Sequence, residues 1–238
     1  MKFRTKILLL VMATIVIVSL TISGVALYYL SKYFDEQAQT EVTNLSKVID
    51  GFLIEQTTES KSAAVMGAIN LAMINAIRDR DTPTIQKLSK EIMSGASVDF
   101  VTVADSEGKV LGRGHSDKTG DSVLDQRNVA NALKGTSSTG IEEGTVIKFS
   151  LRAGHPVMDE GKIIGTVTTG FNLSQGDKFV DKIKSLLGVE CTIFKDDTRV
   201  STTIMREGKR AVGTRMDNAD VLESVIRKGQ PFYKVNKI

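Results

Sequence analysis

The 238-residue chain contains one cysteine, two histidines, three prolines and no tryptophan. Its single thiol, Cys191, can close no intrachain disulfide and has no second soft ligand beside it. It reads as a small apolar residue in the run Val189-Glu190-Cys191-Thr192-Ile193-Phe194. Without a His-x-x-x-His or Cys-x-x-Cys spacing, metal and hydrolytic chemistry have little to stand on. The expectation is therefore no metal, no cofactor and no enzyme. Gly112-Arg113-Gly114 opens like a dinucleotide loop, but the third glycine and a parallel βαβ setting are missing. The 31 basic and 28 acidic residues leave a net charge of +3, with no basic cluster interleaved with aromatics. Nucleic acid is not an expected partner.

What the chain does have begins with residues 7–30, a run without one charged side chain. As a helix it reaches roughly 36 Å, enough for a hydrocarbon core of about 30 Å. Lys2, Arg4 and Lys6 precede it, while Asp35, Glu36 and Glu41 follow with only Lys32 between. The positive-inside bias leaves residues 1–6 cytoplasmic and exports the rest. Tyr28, Tyr29 and Tyr33 stand where an interfacial aromatic belt would lie. A cleaved signal peptide is the alternative, but its apolar region is typically about 7–15 residues and ends in small residues. This run is longer and ends in Tyr-Tyr-Leu, which favours a retained anchor.

From Phe34 the apolar positions fall at Ala38, Val42, Leu45, Ile49 and Phe52, a helical spacing. With proline absent until Pro83, one helix is expected to run to about Arg80, a rod of roughly 75 Å. Its middle, 56–62, is polar all round and needs a partner. A second copy of the chain or the chain's own domain can supply one. Thr82-Pro83 then reads as an N-cap followed by proline at the first helical position, opening a short helix to about Met93 that Gly95 ends.

Two copies of one phrase follow: Glu107-Gly108-Lys109-Val110-Leu111-Gly112 and Glu160-Gly161-Lys162-Ile163-Ile164-Gly165. Each sits between apolar runs, behind an aspartate. Aspartate caps turns, glycine supplies positive φ and β-branched residues fill strands, so each copy predicts a β-hairpin. Strands are expected at 98–104, 109–114, 145–157 and 162–172, a short helix at 126–134, and a surface loop at 136–140. The pattern then restarts with a helix at 174–187 stopped by Gly188. Strands at 189–194, 199–203 and 210–213 and a helix at 218–228 complete it. The tail from Phe232 reads as a further strand beginning, and an open sheet edge there suggests a fragment of a longer protein.

Three stretches carry a resemblance: Arg113-Gly114-His115-Ser116-Asp117-Lys118-Thr119-Gly120-Asp121, Phe149-Ser150-Leu151-Arg152-Ala153-Gly154-His155-Pro156-Val157, and Gly161-Lys162-Ile163-Ile164-Gly165-Thr166-Val167-Thr168-Thr169-Gly170. In this order and spacing the chain resembles the Cache domains, PAS-like extracellular sensor modules of bacterial chemotaxis receptors and sensor kinases. Thr198-Arg199-Val200-Ser201-Thr202-Thr203 and Gly208-Lys209-Arg210-Ala211-Val212-Gly213-Thr214 resemble the second module of tandem Cache receptors of the methyl-accepting type. The implied fold is α+β: a transmembrane helix (7–30), a helical stalk (31–95), a PAS-like antiparallel sheet module (96–173) and a second, incomplete α+β module (174–238). The resemblance implies a homodimeric chemoreceptor in the bacterial inner membrane, its sensor region outside the cytoplasm, with a histidine kinase or cyclase as the other outputs.

Strand parity locates a candidate site independently. Phe149, Leu151 and Ala153 point one way along their strand, while Ser150 and Arg152 point the other. Ile163, Val167 and Phe171 likewise oppose Thr166 and Thr168. If the two strands pair, Arg152, Ser150, Thr166 and Thr168 share a polar face, either a solvated surface or a pocket. Arginine presents a planar fork of donors suited to a carboxylate. The citrate and dicarboxylate sensor kinases use a Ser/Ala-Leu-Arg strand before Pro-Val, and Arg152 matches its arginine. They also use an Arg-x-x-His element. His115 matches the histidine, but Gly112 stands at the arginine position and Arg113 is one residue later, which in a strand puts it on the same side as His115. The expected ligand is a small solute, a carboxylate by resemblance. A module that binds a protein partner is the rival, and it requires Arg152 to face solvent or an ion pair.

Overall fold

The structure, a computed structural model, describes residues 3–174 and 177–232. Two compact units divide the chain: Ile49–Gln230, and the residues before and after it. Helix α1 (Phe3–Ile69) contributes residues to both. Its most apolar window has a mean hydropathy of 2.6 with none of it buried, and among the described residues it is the one helix long and apolar enough to cross a membrane.

Within the second unit, α1 is followed by α2 (Leu71–Arg78) and α3 (Thr82–Ala96). Helical periodicity runs on past Ile69, so a single helix to Arg80 is the natural expectation. The helix breaks instead at Asn70, whose extended backbone and side-chain oxygen cap α2 by accepting from the Met73 N–H at 3.1 Å. One turn later, Asp81 and not Thr82 is the N-cap of α3, its carboxylate accepting from the Thr84 N–H and hydroxyl. Gly95 does not end α3, because Ser97 takes the left-handed cap conformation (φ 52°) two residues on.

Five antiparallel strands then form one sheet in the order β2-β1-β5-β4-β3: β1 (Phe100–Asp105), β2 (Val110–Arg113), β3 (Ser138–Glu143), β4 (Phe149–Asp159) and β5 (Lys162–Asn172). Helix α4 (Arg127–Ala132) lies between β2 and β3 in sequence. Both copies of the repeated phrase make hairpins, with different turns. Glu160 and Gly161 both have positive φ (47° and 81°), the two-residue turn that matches strand twist. The first copy carries an extra Ser106, so its loop has three residues and only Gly108 is left-handed (φ 76°). The Asp105 carboxylate accepts there from the N–H groups of Glu107 and Lys109.

Residues 136–140, expected as a loop, run into the edge strand β3. Its side chains alternate half-buried and exposed and Ile141 is its one large apolar residue, so hydrophobicity does not signal it. Residues 145–148, expected as strand, form the loop before β4.

α1, α2 and α3 cover one sheet face. Ala63, Ala68, Met73, Ile77 and Ile85 meet Val101, Val103, Val157 and Val167 there. Gln56 and Ser60, from the polar middle of α1, are buried in this unit, so the chain's own domain partners that segment. Small residues let the helix approach closely: a Cβ on Gly67 would come within 3.0 Å of Val167. The Thr169 hydroxyl of β5 donates to the Ser60 carbonyl of α1.

α5 (Lys178–Leu187) then packs Phe179, Val180 and Ile183 on Leu151 and Leu173, with Ile49 and Phe52 of α1 alongside, and Gly188 caps it in the left-handed region. Beyond lie two hairpins, β6 (Thr192–Lys195) with β7 (Thr198–Thr202), and β8 (Met205–Arg206) with β9 (Lys209–Arg210). The expected strand at 210–213 is thus only the end of a two-residue pairing. Its turn is a third Glu-Gly-Lys, with Glu207 and Gly208 both at positive φ. α6 (Ala219–Val221) continues as a π-helical segment, Leu222–Arg227. The strand expected from Phe232 onward lies outside the described residues, apart from Phe232 itself.

Candidate functional site

The sheet face turned away from α1 carries an unusual row. Arg152 of β4 pairs with Gly170 of β5, and Gly170 pairs with Phe100 of β1, so the three share one row on one face. Gly170 is what lets the outer two meet. A Cβ there would sit 2.5 Å from the Phe100 ring and 2.0 Å from the Leu151 carbonyl. With the space free, the Arg152 guanidinium lies over the Phe100 ring, 4.8 Å from its centroid. A desolvated contact of this kind is worth up to about 2 kcal/mol. His115 stands edge-on to the same ring at 5.6 Å.

The next row holds Gly154, Thr168, Thr102 and Arg113 across β4, β5, β1 and β2. Arg113 is 2% exposed, with all four terminal N–H groups on acceptors. Its terminal nitrogens donate to both Asp121 carboxylate oxygens (2.7 and 2.9 Å), to the Lys118 carbonyl (2.6 Å) and to the Thr145 hydroxyl (3.1 Å). The hydrogen bonds from Arg113 hold the Asp121 carboxyl down to about 2. This pair is electrically closed.

Arg152 is different. It is 4% exposed, and it donates to the Gln126 side-chain oxygen at 3.1 Å and to the Ile147 carbonyl at 2.9 Å. Its Nε has no acceptor, and among the described residues no carboxylate lies within ion-pairing distance of it. Burial pushes the guanidinium down to about 10; the charge of Glu142, and less that of Asp125, oppose this while that of Arg113 adds to it, and the group remains a cation at neutral pH. A buried charge held only by neutral acceptors costs several kcal/mol relative to one in water.

Arg152, Arg113, His115, Phe100, Gln126 and Ile147 surround a cavity of about 10 Å³, room for one water at most. The loop 144–148 closes it. Gly144 lies so near that a Cβ would fall 1.9 Å from an Arg152 Nη. Burial, and then the charge of Arg113, push His115 down to about 4, leaving it neutral. Its Nδ1 lies 3.2 Å from the Val101 carbonyl, which can only accept, so the neutral ring carries its proton there.

Of the residues singled out in the sequence, Arg152, His115 and Arg113 converge on this cavity. Arg113 is the last residue of β2 and His115 lies in the bend just beyond it, yet both reach the cavity, in keeping with their two-residue spacing. Ser150, Thr166 and Thr168 share the sheet face and are buried, but they line other rows. Thr168 accepts from the Asn128 amide of α4 at 2.8 Å, whereas the hydroxyls of Ser150 and Thr166 lack partners. Sequence reasoning missed Phe100, Gln126, Asp121 and the 144–148 loop. Parity along β1 would have found Phe100; the others come from loops that carry no periodic signal. Among the described residues no three His, Cys, Asp or Glu side chains stand together to hold a metal.

A family model described as single Cache domain 3 matches residues 53–187, and a second model of the same description matches 171–238. The chain belongs to the single Cache domain 3 family, a family of ligand-binding sensor domains. No curated protein matches it. Among solved structures, the sensor domain of the V. cholerae histidine kinase DctB aligns at TM-score 0.55 and 10% identity, over 71% of this chain and 66% of that one. The ligand-binding domain of the Campylobacter jejuni chemoreceptor Tlp3, solved with L-valine, aligns at TM-score 0.51 and 13% identity, over 80% and 77%. An extracellular ligand-binding receptor from Desulfohalobium retbaense aligns at 0.52 and 13%, over 81% of this chain and 34% of its own. At these identities the similarity is one of fold.

Proposed function

We propose that this chain is the extracytoplasmic sensing region of a membrane-anchored chemoreceptor that binds a small carboxylate on Arg152. The observation that supports it is the buried Arg152 guanidinium, with an unpartnered Nε, a closed cavity beside it and no carboxylate of its own. A ligand carboxylate would replace the Ile147 carbonyl and the Gln126 amide with a charged acceptor, and charge-assisted bonds are roughly twice as strong as neutral ones. Opening the 144–148 loop admits it. The apolar run at 7–30 anchors the chain with its N-terminus in the cytoplasm, Ser150, Thr166 and Thr168 support the pocket floor, and α1 relays the change in a homodimer. The protein-partner reading requires Arg152 at the surface or in an ion pair, and it is neither. The test is a thermal-shift screen of the full chain in detergent against mono-, di- and tricarboxylates, repeated on Arg152→Ala. One carboxylate raising Tm in the wild type, with no response from a folded Arg152→Ala, is the expected result. A folded wild type that responds to none would overturn the proposal.

A further inference from the structure

Charge counting around the cavity narrows the ligand class. Two arginines and one histidine face it, formally enough positive charge for more than one carboxylate. The structure removes two of the three charges. Arg113 is neutralised by Asp121 through two short hydrogen bonds, and its other two terminal N–H groups go to the Lys118 carbonyl and the Thr145 hydroxyl. His115 is buried against the Phe100 ring and gives its Nδ1 proton to a backbone carbonyl. Lys118, the other nearby cation, is half exposed and leans on Asp121 at 3.6 Å. Arg152 remains as the buried cation on this cavity that, among the described residues, no carboxylate meets within ion-pairing distance; Glu142 and Asp125 act on it only from further away.

The anionic side is equally committed. Asp121 is held by Arg113. Glu142 accepts from the Asn128 N–H and pairs with Arg127, and Asp125 is exposed. No carboxylate on the cavity wall is left for a ligand ammonium. The rest of the lining mixes the apolar Phe100, Val123, Val146 and Ile147 with the neutral polar side chains of Thr102, Gln126 and Thr145.

We infer that the pocket selects a monocarboxylate with a short apolar tail, over dicarboxylates and over amino acids. The inference rests on the carboxylate reading of Arg152 given above. A second carboxylate would meet no free cation, and an α-ammonium would find only the neutral oxygens of Thr102, Gln126, Thr145 and Ile147, with no carboxylate to balance its charge. Either is the unpaired-group penalty that gives polar-versus-apolar discrimination its large ratios.

The experiment is calorimetric titration of the full chain in lipid nanodiscs with propionate, L-alanine and succinate. Propionate is expected to bind at least about tenfold more tightly than either of the other two, a gap of about 1.4 kcal/mol. Asp121→Asn, checked for folding by circular dichroism, frees Arg113 and is expected to narrow the propionate–succinate gap. Succinate or L-alanine binding as tightly as propionate in the wild type overturns the monocarboxylate inference while leaving Arg152 as a carboxylate site. Failure of all three to bind a folded chain removes the carboxylate reading and this inference with it.

Discussion

The Arg152 guanidinium rests over the Phe100 ring at 4.8 Å, and it reaches there across Gly170, which lies between them in the sheet. The contact needs an empty position on the middle strand. Gly170→Ala places a methyl against the ring and the Leu151 carbonyl at once. Neither can yield without moving a strand, so a loss of about 1–3 kcal/mol is expected from overpacking. A lowered urea midpoint with an unchanged m-value checks it.

Gly144→Ala acts on the same arginine with a different balance. The new methyl meets the far end of a side chain, which can swing, as well as the Ile147 carbonyl. The expected outcome is a small change in Tm and a loss of carboxylate response of tenfold or more, because the guanidinium leaves its place. Thermal shift and titration on one preparation separate the two effects. A large Tm loss with binding intact would contradict the placement of this loop over Arg152.

Two groups set separate pH windows. His115 is held down to about 4 from an ordinary 6.5, so the unfolded chain binds its proton more readily than the folded one. Its contribution is complete above about pH 6.5 and is lost as pH falls towards 4, by at most about 1.4 kcal/mol per unit. His115→Gln should flatten the stability profile across that window, read by denaturant midpoints from pH 4 to 8. Asp121, lowered to about 2 by Arg113, contributes above its ordinary value of 3.8, and that contribution disappears as pH falls through 2. Asp121→Asn should remove the second decline and leave the first.

Thr169→Val deletes the hydroxyl that β5 donates to the Ser60 carbonyl of α1. The swap nearly conserves volume, and the expected stability loss is about 1 kcal/mol, that of a typical internal hydrogen bond. Carboxylate binding should be unchanged, because Thr169 faces away from the cavity. Amide exchange along 56–64 should accelerate, and protection equal to wild type would count against this link.

Much of this arrangement was legible in the sequence for a physical reason. Both long strands largely alternate, so the sequence alone puts Arg152 of β4 and Thr166 and Thr168 of β5 on one face. The repeated Glu-Gly-Lys announced its hairpins because only certain residues accept positive φ. What stayed hidden has equally plain causes. β3 is a polar edge strand with one large apolar residue, so it looked like a loop. Asn70 caps a helix inside an otherwise unbroken apolar period, so α1 and α2 looked continuous. Asp121, Gln126 and the 144–148 loop reach Arg152 and Arg113 through chain geometry that no local pattern encodes. The pairing of Arg113 with Asp121 was therefore invisible, and with it the charge balance of the pocket.

On β5, Gly170 faces the cavity and Thr169, its neighbour in the chain, faces α1. In the proposed sensor, the ligand-facing and the helix-facing surfaces of β5 are thus separated by a single peptide bond. A strand cannot tilt one of these residues without tilting the other, so in the proposed sensor a ligand's push on this face reaches the contact with α1 directly.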